Sequence, residues 1–295
     1  MPSAVSELYE PLIERDSERI RGAIAKFREE QSAADLFLAV ARFAVLAYTP
    51  SQHARHAVLA VLSAHDLRED LGEGFDELLI ECAIYASNSR QPWSEPPIME
   101  PPSAEGAPED LRTAVASRDR LSGERWLASR MGEPDLRLQL MTIASEDLED
   151  MGHKVIVANA AWRLAQILGE KGRFAALRIA VWEMVSYSGP RSQLLPTTGQ
   201  ALDALIARCI AEKGSIESAH GVFLFDALCD DGPEGMTGPV PPIYPLARDY
   251  GQCLKAHAVA KRLRARYPAA RIDEFVAAVR SNLDSGPTYE EWNFA

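Results

Sequence analysis

Apolar residues recur at three- and four-residue steps along almost the whole of this chain, and sustained period-two alternation is nearly absent. A helix turns about 100 degrees per residue and gathers such positions on one face, whereas a half-buried strand needs alternation. The expected fold is therefore all-α: eleven or twelve helices, bundle-like or orthogonally packed, forming a single body over residues 1–295. Leu8, Leu12, Ile13, Ile20, Ile24 and Phe27 make residues 5–30 read as one amphipathic helix. Ala33 to Tyr48 is apolar almost all round, which predicts a buried helix. It should stop at Thr49-Pro50, because the residue before a proline is pushed out of the helical region. Ser51 is placed to cap a third helix that carries His53, His56 and His65 and ends near Gly72 and Gly74, and residues 75–88 make a fourth. Further helices are expected over 108–130, 134–149, 152–168, 171–187, 198–213, 215–229, 243–266 and 270–284. Gly169, Gly189 and Gly214 stand where helices end, and Pro108 and Pro134 stand where helices begin. No helical-repeat periodicity appears.

Two segments break the pattern. Residues 91–108 hold six prolines, which prevent a helix and favour extended backbone. A linker dividing residues 1–90 from 109–295 is one reading. Trp93, Ile98 and Met99 favour the other, an ordered Pro-rich strap laid across the helical body. The Gly/Pro-rich stretch 230–242 is long for a connection between packed helices and reads as a lid or rim.

Composition excludes several function classes. Net charge is −12, so phosphate backbones and anionic membranes are repelled on average, and neither nucleic acid nor a membrane is an expected partner. Cys82, Cys209, Cys229 and Cys253 occur singly in apolar helical contexts, which reads as reduced and structural. The first residues show no basic-then-apolar signal, and no run approaches the roughly 20 apolar residues of a membrane span. A cytoplasmic protein is expected. No Gly-x-Ser-x-Gly elbow, Walker loop or Gly-x-Gly-x-x-Gly turn is present, so neither a serine nucleophile nor a nucleotide cofactor has backing, and the cofactor stays unknown.

The histidines carry the chemistry that remains. His56, His65, His153, His220 and His257 each stand two residues before Val or Leu within apolar, helix-patterned segments, where an imidazole needs a polar partner. On a helical projection His153 heads a stripe of Ile156, Val157, Ala160, Leu164, Ile167 and Leu168, with Lys154 elsewhere. His220 shares its face with Ile216, Phe223, Leu224, Ala227 and Glu217, and His257 shares its face with Tyr250, Cys253 and Leu254. His153, His220, His257, Tyr250 and Glu217 are the candidate catalytic set, with Trp93 or residues 230–242 closing over it. An imidazole near a carboxylate can act as a general base, and a tyrosine hydroxyl can donate to developing oxyanion charge; together they suit proton abstraction beside a carbonyl or phenol. His53 and His56, near a helix start, read as exposed or capping residues. Glu217-Ser218-Ala219-His220 has the Glu-x-x-His spacing of di-iron bundles, but no second copy exists. Glu149 and His153 make only a weak substitute, and no metal is expected.

The segment Gly152 to Leu164, followed by Phe174-Ala175-Ala176-Leu177 and the later His220 and His257 helices, resembles the small-His-x-x-Ile pattern that recurs in the questin oxidase-like family. The resemblance implies an all-α fold with inward histidines around a substrate cavity, and oxygenation of aromatic polyketides. Three readings follow. The first is an oxidoreductase-like enzyme acting on a small aromatic or apolar molecule, with a homodimer as an allowed assembly. The second is a helical scaffold or ligand-binding protein whose histidines hydrogen-bond across helices. The third is a metal-dependent Glu-x-x-His oxidase. Convergence of the histidines separates the first from the second.

Overall fold

The computed structural model describes residues 4–50, 52–71, 74–89, 100–146 and 153–186, and among these it contains ten helices and no strand. They are α1 (Ala4–Glu14), α2 (Ser17–Glu30), α3 (Ala33–Ala47), α4 (Gln52–Leu71), α5 (Phe75–Ser89), α6 (Leu111–Ser117), α7 (Arg120–Arg130), α8 (Leu136–Ser145), α9 (His153–Leu168) and α10 (Glu170–Ser186). The described part is all-α. None of its helices is long and apolar enough to cross a membrane. The helices expected beyond residue 187, the stretch 230–242 and Trp93 lie outside the described residues, as does Ser51. Glu100 to Pro108 forms no helix and is mostly exposed.

Two expected helices are each divided. Residues 5–30 make α1 and α2, and residues 108–130 make α6 and α7. The same device breaks both. Arg15 (φ 62) and Arg118 (φ 56) adopt left-handed backbone, and the aspartate that follows each one caps the next helix. Asp16 accepts from the Arg19 amide at 3.0 Å and Asp119 from the Ser122 amide at 3.1 Å. A side-chain acceptor that satisfies an orphan amide stabilises a new helix start by about 1 kcal/mol, and apolar periodicity carries no record of that local event. The Ser122 hydroxyl, followed by its amide, holds the Asp119 carboxyl below its ordinary range. Pro108 and Pro134 precede the caps Asp110 and Asp135 rather than entering the first turns.

α3 is the central element, as its all-round apolar surface requires. It starts at a capping box between Ser32 and Asp35, ends at Tyr48, and packs on α4, α5, α9 and α10. The α1–α2 hairpin lies on α5 and α3, with the Ser87 hydroxyl donating to the Leu12 carbonyl at 2.6 Å. α9 and α10 turn on Gly169 (φ 64), where a side chain would be strained, and form the most extensive helix pair. α6, α7 and α8 cover the other side of that pair. α7 approaches α10 closely at Gly123, which faces Val181. Beside this crossing the Trp182 indole donates to Glu124 at 2.7 Å, and the Arg178 guanidinium lies 4.6 Å over the ring. Burial holds the Arg178 guanidinium below its ordinary value, with Glu124 opposing the shift. Cys82 is a free thiol inside the core, and burial pushes it up, away from the reactive thiolate. The other three cysteines lie outside the described residues.

Candidate functional site

Polar groups collect where the end of α3, the start of α4, the start of α9 and the end of α10 meet. Tyr48 closes α3, and a short connection through Thr49 and Pro50 leads to α4, which brings Arg55 and His56 into its second turn. α9 opens on His153, and α10 carries Glu183 in its last turn. All five side chains are buried, with His56 1%, His153 3% and Glu183 0% exposed.

The Nε2 atoms of His56 and His153 lie 3.2 Å apart. Their ring centroids are 5.4 Å apart, 2.2 Å more than the nitrogens, which is about the two ring radii together. The imidazoles therefore meet nearly end to end. One Nε2 donates and the other accepts, so the two neutral rings must hold opposite tautomers. At 3.2 Å the two nitrogens are within hydrogen-bonding distance, and the end-to-end approach aims each ring's Nε2 at the other. Among the described residues no group of three or more His, Cys, Asp or Glu is placed to hold a metal ion.

Beside the pair, Glu183 accepts a hydrogen bond from the Tyr48 hydroxyl and pairs with Arg55 Nε at 3.3 Å. A carboxylate in the last turn of a helix opposes the negative end of the macrodipole, and burial adds a desolvation cost; Arg55 and Tyr48 offset both. Lys154 is also buried, and further along α9 the Asn159 side-chain oxygen Oδ1 accepts from Arg137 at 3.2 Å.

Of the candidate set, the structure describes His153, which is buried; of the stripe it heads, Ile156, Val157, Ala160, Leu164 and Leu168 are buried and Ile167 is partly buried. Lys154, assigned to another face, is buried too, because the first half of α9 is enclosed all round. His220, His257, Tyr250 and Glu217 lie outside the described residues. His56 corrects the expectation of an exposed or capping residue: the start of α4 is enclosed by its neighbours and the ring faces His153. The side chain of His53 is likewise outside the described residues. Tyr48, Arg55 and Glu183 complete the cluster, and for Arg55 and Glu183 the sequence carries a signal. Glu183 is the only charge in the run Ile179 to Val185, and Arg55-His56 leads straight into the apolar run Ala57 to Leu62. A lone charge in an apolar run demands a buried partner.

Compared with known family models, with curated proteins and with solved structures, the chain matches none of them.

Proposed function

We propose that this protein is an enzyme that handles a proton on a small aromatic or largely apolar organic molecule, with His56 and His153 as its acid–base unit. The observation that carries this reading is the 3.2 Å contact between two buried Nε2 atoms supplied by different helices. A proton taken from a substrate carbon or hydroxyl by one imidazole has a route to the second ring, and the Tyr48–Glu183–Arg55 group sets the charge around it. Five buried polar side chains at one end of a helical body cost stability that apolar residues would not, and such costs concentrate at functional sites. The substrate class rests on the resemblance of Gly152 to Leu164 to the questin oxidase-like family, and the oxygenase-like activity of that family is the finer form of the proposal. The placing of His220, His257, Tyr250 and Glu217 around the same substrate belongs to it as well.

The scaffold reading draws on the same contact, since two histidines that satisfy each other need no ligand. Solvent-deuterium exchange separates the two. Aryl ketones and phenols are incubated with the full-length protein in D2O, and exchange beside the carbonyl or on the ring is followed by NMR. Exchange catalysed on at least one compound and reduced about 100-fold or more by both His56→Gln and His153→Gln, in variants that stay folded, is the expected result. Exchange no faster than in buffer across the panel, or retained in full by both variants, contradicts it.

A further inference from the structure

A second site lies at the opposite end of α4 and α9 from the histidine pair. His65 follows His56 by nine residues on α4, about 13 Å along the axis. Here the start of α3, the end of α4, the start of α5 and the end of α9 surround a cavity of about 460 Å3, walled by Phe37, Leu38, Phe75 and Ile167 and carrying His65 and Arg68. That volume falls in the range of small-molecule pockets, about 300–1,000 Å3, which combine apolar walls with a few placed polar groups.

The polar pair has a definite chemistry. Arg68 donates toward His65 Nε2 at 3.3 Å, so that nitrogen accepts and the neutral ring carries its proton on Nδ1. Nδ1 is buried without a hydrogen bond, 3.7 Å from the Asp66 carboxylate. Asp66 is itself held by both arms of Arg163, at 3.0 and 2.6 Å, so its charge is already matched. Among the described residues Arg68 meets no carboxylate; its guanidinium is an unmatched cation at the rim of an apolar cavity in a chain of net charge −12. The His65 ring, its centroid 5.0 Å from that of Phe37, extends the aromatic wall toward that cation.

We infer that this cavity binds a small carboxylate with an aromatic or short aliphatic body. The body lies among Phe37, Leu38, Phe75 and Ile167, and the carboxylate takes the Arg68 fork in bidentate fashion, replacing the long contact to His65. A neutral ligand of the same shape leaves the guanidinium unmatched, and an ion without an apolar body leaves the aromatic walls wet. The site therefore selects for both features together.

The probes are 4-phenylbutyrate and its uncharged analogue 4-phenylbutanol, titrated calorimetrically into the full-length protein. The expected result is saturable 1:1 binding of the carboxylate at least about tenfold tighter than the alcohol. Arg68→Gln, at an exposed position, should abolish that preference while leaving the alcohol's affinity unchanged. Ala34→Trp, at an exposed edge of the same cavity, should block both ligands. His56→Gln and His153→Gln should change neither affinity, which keeps this result independent of the acid–base proposal. No saturable binding of 4-phenylbutyrate overturns the inference. Equal affinity for acid and alcohol shows an apolar groove without carboxylate recognition and overturns it too, as does binding that survives both Arg68→Gln and Ala34→Trp.

Discussion

Glu183→Ala is expected to lower the unfolding free energy by about 3–5 kcal/mol, more than any single truncation on the exposed faces. Glu183 is fully enclosed and faces Arg55, whose side chain is 4% exposed. Removing the carboxylate takes away the ion pair to Arg55 Nε and the acceptor of the Tyr48 hydroxyl inside an enclosed site. Glu183→Gln keeps the volume and an acceptor, so it should recover part of the loss. The double replacement Arg55→Met with Glu183→Leu removes both charges and should be far less destabilised than either single truncation, because desolvation of the pair disappears with the attraction. Denaturant unfolding of the unsubstituted protein, Arg55→Met, Glu183→Leu and the double replacement measures the coupling. If Glu183→Ala costs no more than about 1 kcal/mol, the ion pair is solvated and the enclosed site is wrongly drawn.

The crossing of α7 and α10 provides the second large effect. A Cβ built on Gly123 would lie 2.6 Å from Val181 Cγ1, and Val185 and Leu111 close the remaining directions at 3.5 and 3.7 Å. Valine in a helix has essentially one χ1 rotamer, so Val181 cannot turn aside and the helices must separate. Gly123→Val should therefore cost about 3 kcal/mol, and Gly123→Ala about 1 kcal/mol after its gain in helix propensity. Gly22, inside α2, has nothing within 4 Å of the same built atom, so Gly22→Ala should instead stabilise by up to about 1 kcal/mol. Thermal melts of the three variants check both signs together.

The helical class and most helix positions were legible because burial of a helix face leaves a period that does not depend on its neighbours. α3 and α9 show it best: their apolar runs gave their burial, and Gly169 marked the turn between α9 and α10. The breaks at Arg15-Asp16 and Arg118-Asp119 were not legible as breaks, since the apolar rows run on through them while one side-chain hydrogen bond redirects the backbone. The site divides in the same way. His153 was placed by its stripe, a property of one helix. His56 reads as exposed or capping because position near a helix start gives no information about what packs over it. The partnership of the two rings, and that of Tyr48 and Arg55 with Glu183, spans up to 135 residues of sequence and is created by tertiary packing alone.

The central claim is that His56 and His153 share one proton across a direct Nε2–Nε2 hydrogen bond, and nitrogen-15 NMR of histidine-labelled full-length protein at neutral to mildly alkaline pH tests it most directly. The ring nitrogens report which site carries the proton, and replacing one histidine at a time by glutamine assigns the signals. The account predicts opposite tautomers for the two rings, one protonated on Nε2 and the other on Nδ1, with His153→Gln altering the His56 signals and the reverse. Two rings with the same tautomer, each unchanged when the other is replaced, would contradict it.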